Sequence, residues 1–122
     1  DAAMNDLMRP SLYGARHEII PIMEATESAV MNTVDVVGPV CETGDTFATE
    51  LRISPVGQDD LLALRSAGAY GAVMASTYNS RALVPEILVK GDQFAVVRER
   101  VNIDALLRHE RLPNWLSAGP KT

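Results

Sequence analysis

Cysteine is all but missing from this chain. Cys41 is the single one among 122 residues, which excludes an internal disulfide and any multi-cysteine metal site and fits a reducing compartment. Histidine is nearly as scarce: His17 and His109 stand too far apart in sequence to form a local ligand pair, and no metal site is expected. Positive charge is the minority sign, with 11 Lys and Arg against 16 Asp and Glu and a net charge of −5. Binding to a phosphate backbone needs clustered basic residues, so a nucleic-acid partner is not expected. No apolar run reaches membrane-spanning length, and no charged-then-apolar leader opens the chain. Repeats and low-complexity tracts are absent as well. Together these absences predict a soluble, cytoplasmic protein without a membrane partner.

What is present has ordinary globular proportions, with 47% hydrophobic and 22% charged residues in 13.2 kDa. That size suits one domain with a real core. The chain opens on Asp1 and runs at once into dense, motif-like sequence, as a piece of a longer chain would. The expected layout is a domain over residues 1–116 and a flexible tail over residues 117–122, where Gly, Pro and Lys occur without pattern.

Strand signals dominate. His17–Ile22 is short, apolar and β-branched, and Pro21 confines it to an edge or a bulge. Val34–Val40 is valine-rich and predicted to deliver Cys41 to a strand end. The pattern over Thr46–Ile53 allows a short helical turn leading into extended chain. Leu61–Leu64 follows a Gly57–Asp60 turn as a buried strand, and Ala72–Ser76 reads as a short helix. Val84–Val89 and Gln93–Arg98 make a hairpin about Lys90-Gly91-Asp92. Asn102 caps a helix with Ile103, Leu106 and Leu107 on one face, and Asp104 suits its first turn. The expected class is mainly β, a Greek-key-like sandwich or barrel with one or two short helices.

Read residue by residue, the chemistry stays open. A lone cysteine is ordinarily a small buried hydrophobe. Arg9 alone is a solvated charge, Tyr13 a half-buried packing residue and Tyr70 a turn aromatic. Asp45 caps a helix or orients its loop, His17 packs, and Asn79 and Arg81 hold the loop near Tyr70.

Four strings change that balance: Asp1-Ala-Ala-Met-Asn-Asp-Leu-Met-Arg-Pro-Ser-Leu-Tyr13, Cys41-Glu-Thr-Gly-Asp45, Ala67-Gly-Ala-Tyr-Gly71 and Tyr78-Asn-Ser-Arg81. Their content and order resemble the diaminopimelate decarboxylases. These are alanine racemase-like enzymes that pair a TIM barrel with a C-terminal β-domain and use pyridoxal 5'-phosphate to convert meso-diaminopimelate to lysine and carbon dioxide. The resemblance implies that this chain is most of the β-domain, without the barrel and its cofactor-bearing lysine. Lys90 and Lys121 lack that lysine's context, and the chain by itself is expected to be inactive.

The resemblance also implies roles. Loss of carbon dioxide leaves a carbanion that needs one proton on the correct face, and a thiol of ordinary pKa, ~8.5, is protonated near neutrality yet able to give that proton up. Cys41 takes this place. Glu42 matches the carboxylate that meets the substrate's remote ammonium. Arg9 and Tyr13 match the groups for the remote carboxylate, where a guanidinium fork and a phenol suit an anion. Tyr70 matches the tyrosine that reaches both cofactor and substrate. A homodimer is implied, with the Cys41-Glu42 loop completing the neighbouring subunit's site. An N-terminal segment of the full chain is expected to complete the β-domain. Ala3 departs from the family's usual glycine, and Arg81–Glu86 from its Arg-Pro-Arg-Pro-x-Glu string. Two other readings stand beside this one: a decarboxylase of ornithine or arginine, which would carry aspartate in place of Glu42, and a non-catalytic binding or assembly domain.

Overall fold

The structure is a computed structural model that describes residues 1–117. Contacts divide the chain into two compact units, the first Asp1–Asn79 and the second beginning at Ser80.

The first unit opens with a turn in which the Ala3 carbonyl accepts from the Asp6 amide at 2.8 Å, then the short helix α1, Arg9–Tyr13. Pro10 sits in its first turn, where a missing N–H costs nothing, and Gly14 closes it in the left-handed region at φ 62°. Strands β1 (Ile19–Pro21) and β4 (Leu62–Leu64) pair antiparallel, so Pro21 lies in a two-stranded ribbon, as its missing donor requires. Strands β2 (Asn32–Val37) and β3 (Thr46–Ile53) form a second antiparallel pair. Thr46–Ile53 is therefore strand along its whole length, with no helical turn. Its irregular periodicity has a cause: the register slips twice, and at the first slip Glu50 takes φ 52° while its amide donates to Asp35 Oδ1 at 2.9 Å. Each slip is a bulge that re-aims the following side chains.

Leu7, Ile19 and Phe47 make the buried core, with Val36, Leu51, Leu62 and Leu64 packed around it. Leu62–Leu64 is half-buried rather than buried. Ala72–Ser76 does not form the expected helix. It begins as a turn in which the Gly71 carbonyl accepts from Met74 and Ala75, both at 3.0 Å, and leaves that turn to pair Ser76 with Asn5.

In the second unit β5 (Glu86–Lys90) and β6 (Gln93–Arg98) form the expected hairpin, with Gly91 at φ 61° in its turn. Arg98 and Glu86 face each other across the strands at 3.2 Å. An antiparallel bridge joins Leu83 to Val101. Helix α2 (Ile103–Leu107) starts as expected, with Asn102 Oδ1 accepting from the Ala105 amide at 2.9 Å. Leu88, Val89, Phe94 and Val97 remain exposed on the hairpin. A final helix, α3 (Asn114–Ser117), takes in the first residue of the expected tail; the rest of that tail, 118–122, lies outside the described residues.

The mainly β class with a few short helices is what forms. Among the described residues the strands make three separate two-stranded sheets and close no barrel.

Candidate functional site

Strand β2 ends at Val37, so Cys41 stands in the loop between β2 and β3 rather than at a strand end. That loop is shaped by one carboxylate. Asp45 is only 3% exposed. Its Oδ2 accepts the Val40 amide at 2.7 Å, and its Oδ1 accepts the Met4 amide at 2.6 Å. Its carbonyl accepts the Gly38 amide at 2.8 Å, closing the loop at its base. Both oxygens are thus held by short, charge-assisted bonds of the kind that offset the burial of an anion. Gly38 is required here, because a Cβ on it would fall on both Asp45 oxygens.

The Asp45–Met4 bond joins two of the four sequence blocks. Met4 lies just ahead of α1, which carries Arg9 and Tyr13, and a Cβ placed on Gly44 would stand 2.7 Å from Ser11 Oγ on that helix. The stretch between the third and fourth blocks is tied to the same segment by Asn5, which is fully buried. Asn5 Nδ2 donates to Asp6 Oδ1 at 3.0 Å and to the Ser76 carbonyl at 3.2 Å, while the Ser76 amide donates to the Asn5 carbonyl at 2.9 Å. Asn5 Oδ1 is buried without a partner. The fourth block arrives through Asn79, whose Nδ2 lies 3.8 Å from Cys41 Sγ.

Around this knot the side chains with chemistry face outward. Cys41 and Glu42 are exposed. Glu42 Oε1 accepts from the Gly44 amide at 3.3 Å and from Thr43 Oγ1 at 3.4 Å, which holds the carboxylate over its own loop. Arg9 is half-buried, while Tyr13 and Tyr70 are 65% and 64% exposed. Tyr70 has φ 58° in the Gly68–Gly71 turn, a left-handed conformation that is a genuine outlier for a bulky residue and that concentrates at functional sites. No hydrogen bond links these five residues directly to one another. Asp45 and Asn5 gather them through the backbone.

Sequence reasoning gave Asp45 a structural role without its long-range partner, and singled out neither Asn5 nor Gly38. The bonds concerned span 41 and 71 positions in sequence, and no local pattern reports contacts of that range. His17 has the expected packing role, with Nδ1 3.1 Å from the Arg65 carbonyl. A cavity of about 680 Å³ follows β3 from Thr46 to Arg52, with Ser11 and Gly14–His17 on its other wall. Among the described residues no cluster of His, Cys, Asp and Glu has the make-up to hold a metal, and no helix is long and apolar enough to cross a membrane.

A bulged hairpin thus carries an exposed thiol and carboxylate in a loop that Asp45 ties to the segment leading into the Arg9–Tyr13 helix. The pyridoxal-dependent decarboxylase C-terminal sheet domain matches over residues 1–68, more than half of the chain, and the chain belongs to that family. More particular likenesses agree. A diaminopimelate decarboxylase of Zymomonas mobilis is 55% identical over 116 residues, 95% of this chain and 27% of that protein, and one from Archaeoglobus fulgidus is 40% identical over the same shares. Among solved structures, the diaminopimelate decarboxylase of M. jannaschii superposes with a TM-score of 0.88 at 34% identity, over 95% of this chain and 26% of that one. The Helicobacter pylori enzyme complexed with L-lysine gives 0.80 at 42% identity, over 88% and 26%. The chain spans about a quarter of the length of the relatives it matches.

The family's cofactor is a pyridoxal, which the residues present fit in part. The first unit, which carries these residues, contains no lysine, so no lysine amine of that unit offers a covalent link. What the site presents is an exposed thiol, an exposed carboxylate and the phenol of a strained tyrosine. That set suits the substrate side of such a cofactor and not its anchorage.

Proposed function

We propose that this chain is the β-domain of a diaminopimelate decarboxylase, a pyridoxal phosphate-dependent carboxy-lyase of lysine biosynthesis, and that it supplies the substrate-facing half of the active site. The observation that carries the reading is the Asp45 clamp, which holds the Cys41-Glu42 loop against the segment leading into the Arg9–Tyr13 helix. A substrate with an amino-acid group at each end needs an anion for the remote ammonium and a cation for the remote carboxylate. Glu42 and Arg9 are those charges, and Tyr13 adds a directional hydrogen bond.

When bound, pyridoxal phosphate would supply the electron sink that decarboxylation at the α-carbon needs. Tyr70 packs beside cofactor and substrate, its ring aimed outward by the left-handed corner of its turn. Cys41 holds the proton to be delivered, and its side chain is free of burial within this chain.

The intact protein works as a cytoplasmic homodimer in which this loop serves the neighbouring subunit's site. Two features support a larger assembly. The β5–β6 hairpin exposes apolar side chains that a two-stranded ribbon does not bury by itself. The cavity along β3 leaves room for the N-terminal segment of the full chain.

The test is turnover by the intact parent protein of meso-diaminopimelate, ornithine and arginine. Carbon dioxide release from diaminopimelate alone is expected. Appreciable release from ornithine with none from diaminopimelate overturns the substrate, and release from none of them favours a binding or assembly domain.

A further inference from the structure

The turn that ends the first unit is strained in a way its length does not require. Tyr78–Ser80 is a three-residue 3₁₀ turn, with Asn79 in the left-handed region at φ 59°, ψ 28°. Ser80 follows it there at φ 56°; asparagine tolerates this region better than serine does, and two such residues in a row cost on the order of 1 kcal/mol or more and persist where the surroundings impose them. The Tyr78 amide and Ser76 Oγ brace the turn at 3.4 Å. Its product is a single placement: Asn79 Nδ2 stands 3.8 Å from the sulfur of Cys41, 38 positions away in sequence and the only cysteine in the chain.

We infer that Asn79 is a positioning residue for Cys41, its carboxamide N–H holding the sulfur during proton delivery. The inference rests on the proton-donor reading of Cys41 given above. In that step the S–H bond breaks, a C–H bond forms at the α-carbon, and the negative charge moves from carbon to sulfur. An N–H donor bonds weakly to a neutral thiol and strongly to a thiolate, so the contact strengthens as the proton leaves. Because the donor already lies beside the sulfur, nothing has to reorganise when the charge arrives. The bond also occupies one sulfur lone pair, so the thiol hydrogen is not shared with Asn79. Solvent returns the proton to the exposed thiolate, and the cycle closes without a further reactant.

Two substitutions separate this role from a backbone one. Asn79→Gly keeps the left-handed corner accessible and removes the carboxamide, while Asn79→Asp keeps both shape and backbone tolerance and replaces the donor with an anion. In the intact parent enzyme both variants are expected to lower kcat about tenfold or more with KM for diaminopimelate held within about twofold. In the cofactor-free parent, alkylation of Cys41 by iodoacetamide at fixed pH is expected to slow about threefold in Asn79→Gly and further in Asn79→Asp, since thiolate is the nucleophile. Unchanged alkylation in Asn79→Asp, or unchanged kcat in both variants, overturns the inference. Cys41→Ala run in parallel keeps the two claims apart. A crippled Cys41→Ala beside fully active Asn79 variants removes Asn79 alone, whereas a fully active Cys41→Ala removes the donor reading itself.

Discussion

Deleting the Asp45 carboxylate strands the buried Val40 amide and the part-buried Met4 amide, which it holds at 2.7 and 2.6 Å. An orphaned buried donor costs about 1–3 kcal/mol and a part-buried one less, so Asp45→Ala is expected to weaken this region by about 2–5 kcal/mol, against a total stability of about 5–15 kcal/mol for a typical domain. Gly38→Ala attacks the same feature from outside, because its Cβ would occupy the space of both Asp45 oxygens. Overpacking of that kind costs about 1–3 kcal/mol. The decisive experiment is the double-mutant cycle, read by amide hydrogen exchange in peptides covering residues 1–8 and 38–46 of the intact parent protein. With Asp45→Ala in place the new methyl has room, so Gly38→Ala should then cost little, a coupling of about 1 kcal/mol or more. Each single variant should raise local exchange about tenfold or more, and diaminopimelate turnover should fall with it. Additive effects of the two substitutions would refute the claim that Gly38 exists to admit this carboxylate. Normal exchange in Asp45→Ala would refute the clamp.

Other outcomes follow from the same geometry. Cys41→Ala in the intact enzyme should cut turnover about a hundredfold while leaving the absorbance of bound cofactor unchanged; equal activity would remove Cys41 from the mechanism. Tyr70→Gly relieves a left-handed bulky residue, so its thermal midpoint should equal or exceed the parent's by about a degree or two while turnover falls. Arg9→Lys keeps the charge but loses the two-pronged fork, and is expected to raise KM for diaminopimelate about tenfold, measured by steady-state kinetics.

Much of the architecture was readable from local signals, and the exceptions share a cause. The β5–β6 hairpin announced itself because Lys90-Gly91-Asp92 joins two β-branched runs, and α2 because Asn102 and Asp104 precede a helical spacing of Ile103, Leu106 and Leu107. Strand β3 hid its nature because its two register slips break the alternation that identifies a strand. Ala72–Ser76 has helix-forming composition, yet Ser76 bonds in both directions to Asn5, and that tertiary pairing wins over local propensity. Helix α1 is only Arg9–Tyr13 long, below the length at which periodicity speaks.

The candidate site divides along the same line. Cys41, Glu42, Arg9, Tyr13 and Tyr70 were candidates from the sequence because the strings that hold them are specific. Asp45, Asn5 and Asn79, the residues that bring those strings together, act through bonds between segments remote in sequence. Each is a small polar residue beside a turn, the commonest composition a loop can have. Gly38 gave no local clue either, since its need for close approach appears only once Asp45 is in place.

A structure of the intact parent protein with L-lysine bound tests the central claim most directly. Lysine keeps the remote ammonium and lacks the remote carboxylate, so it isolates one half of the recognition. The account expects the Glu42 carboxylate within about 3 Å of the lysine ε-ammonium, with the Cys41 sulfur facing the α-carbon. An ε-ammonium held by other groups, with Glu42 and Cys41 turned to solvent, would contradict it.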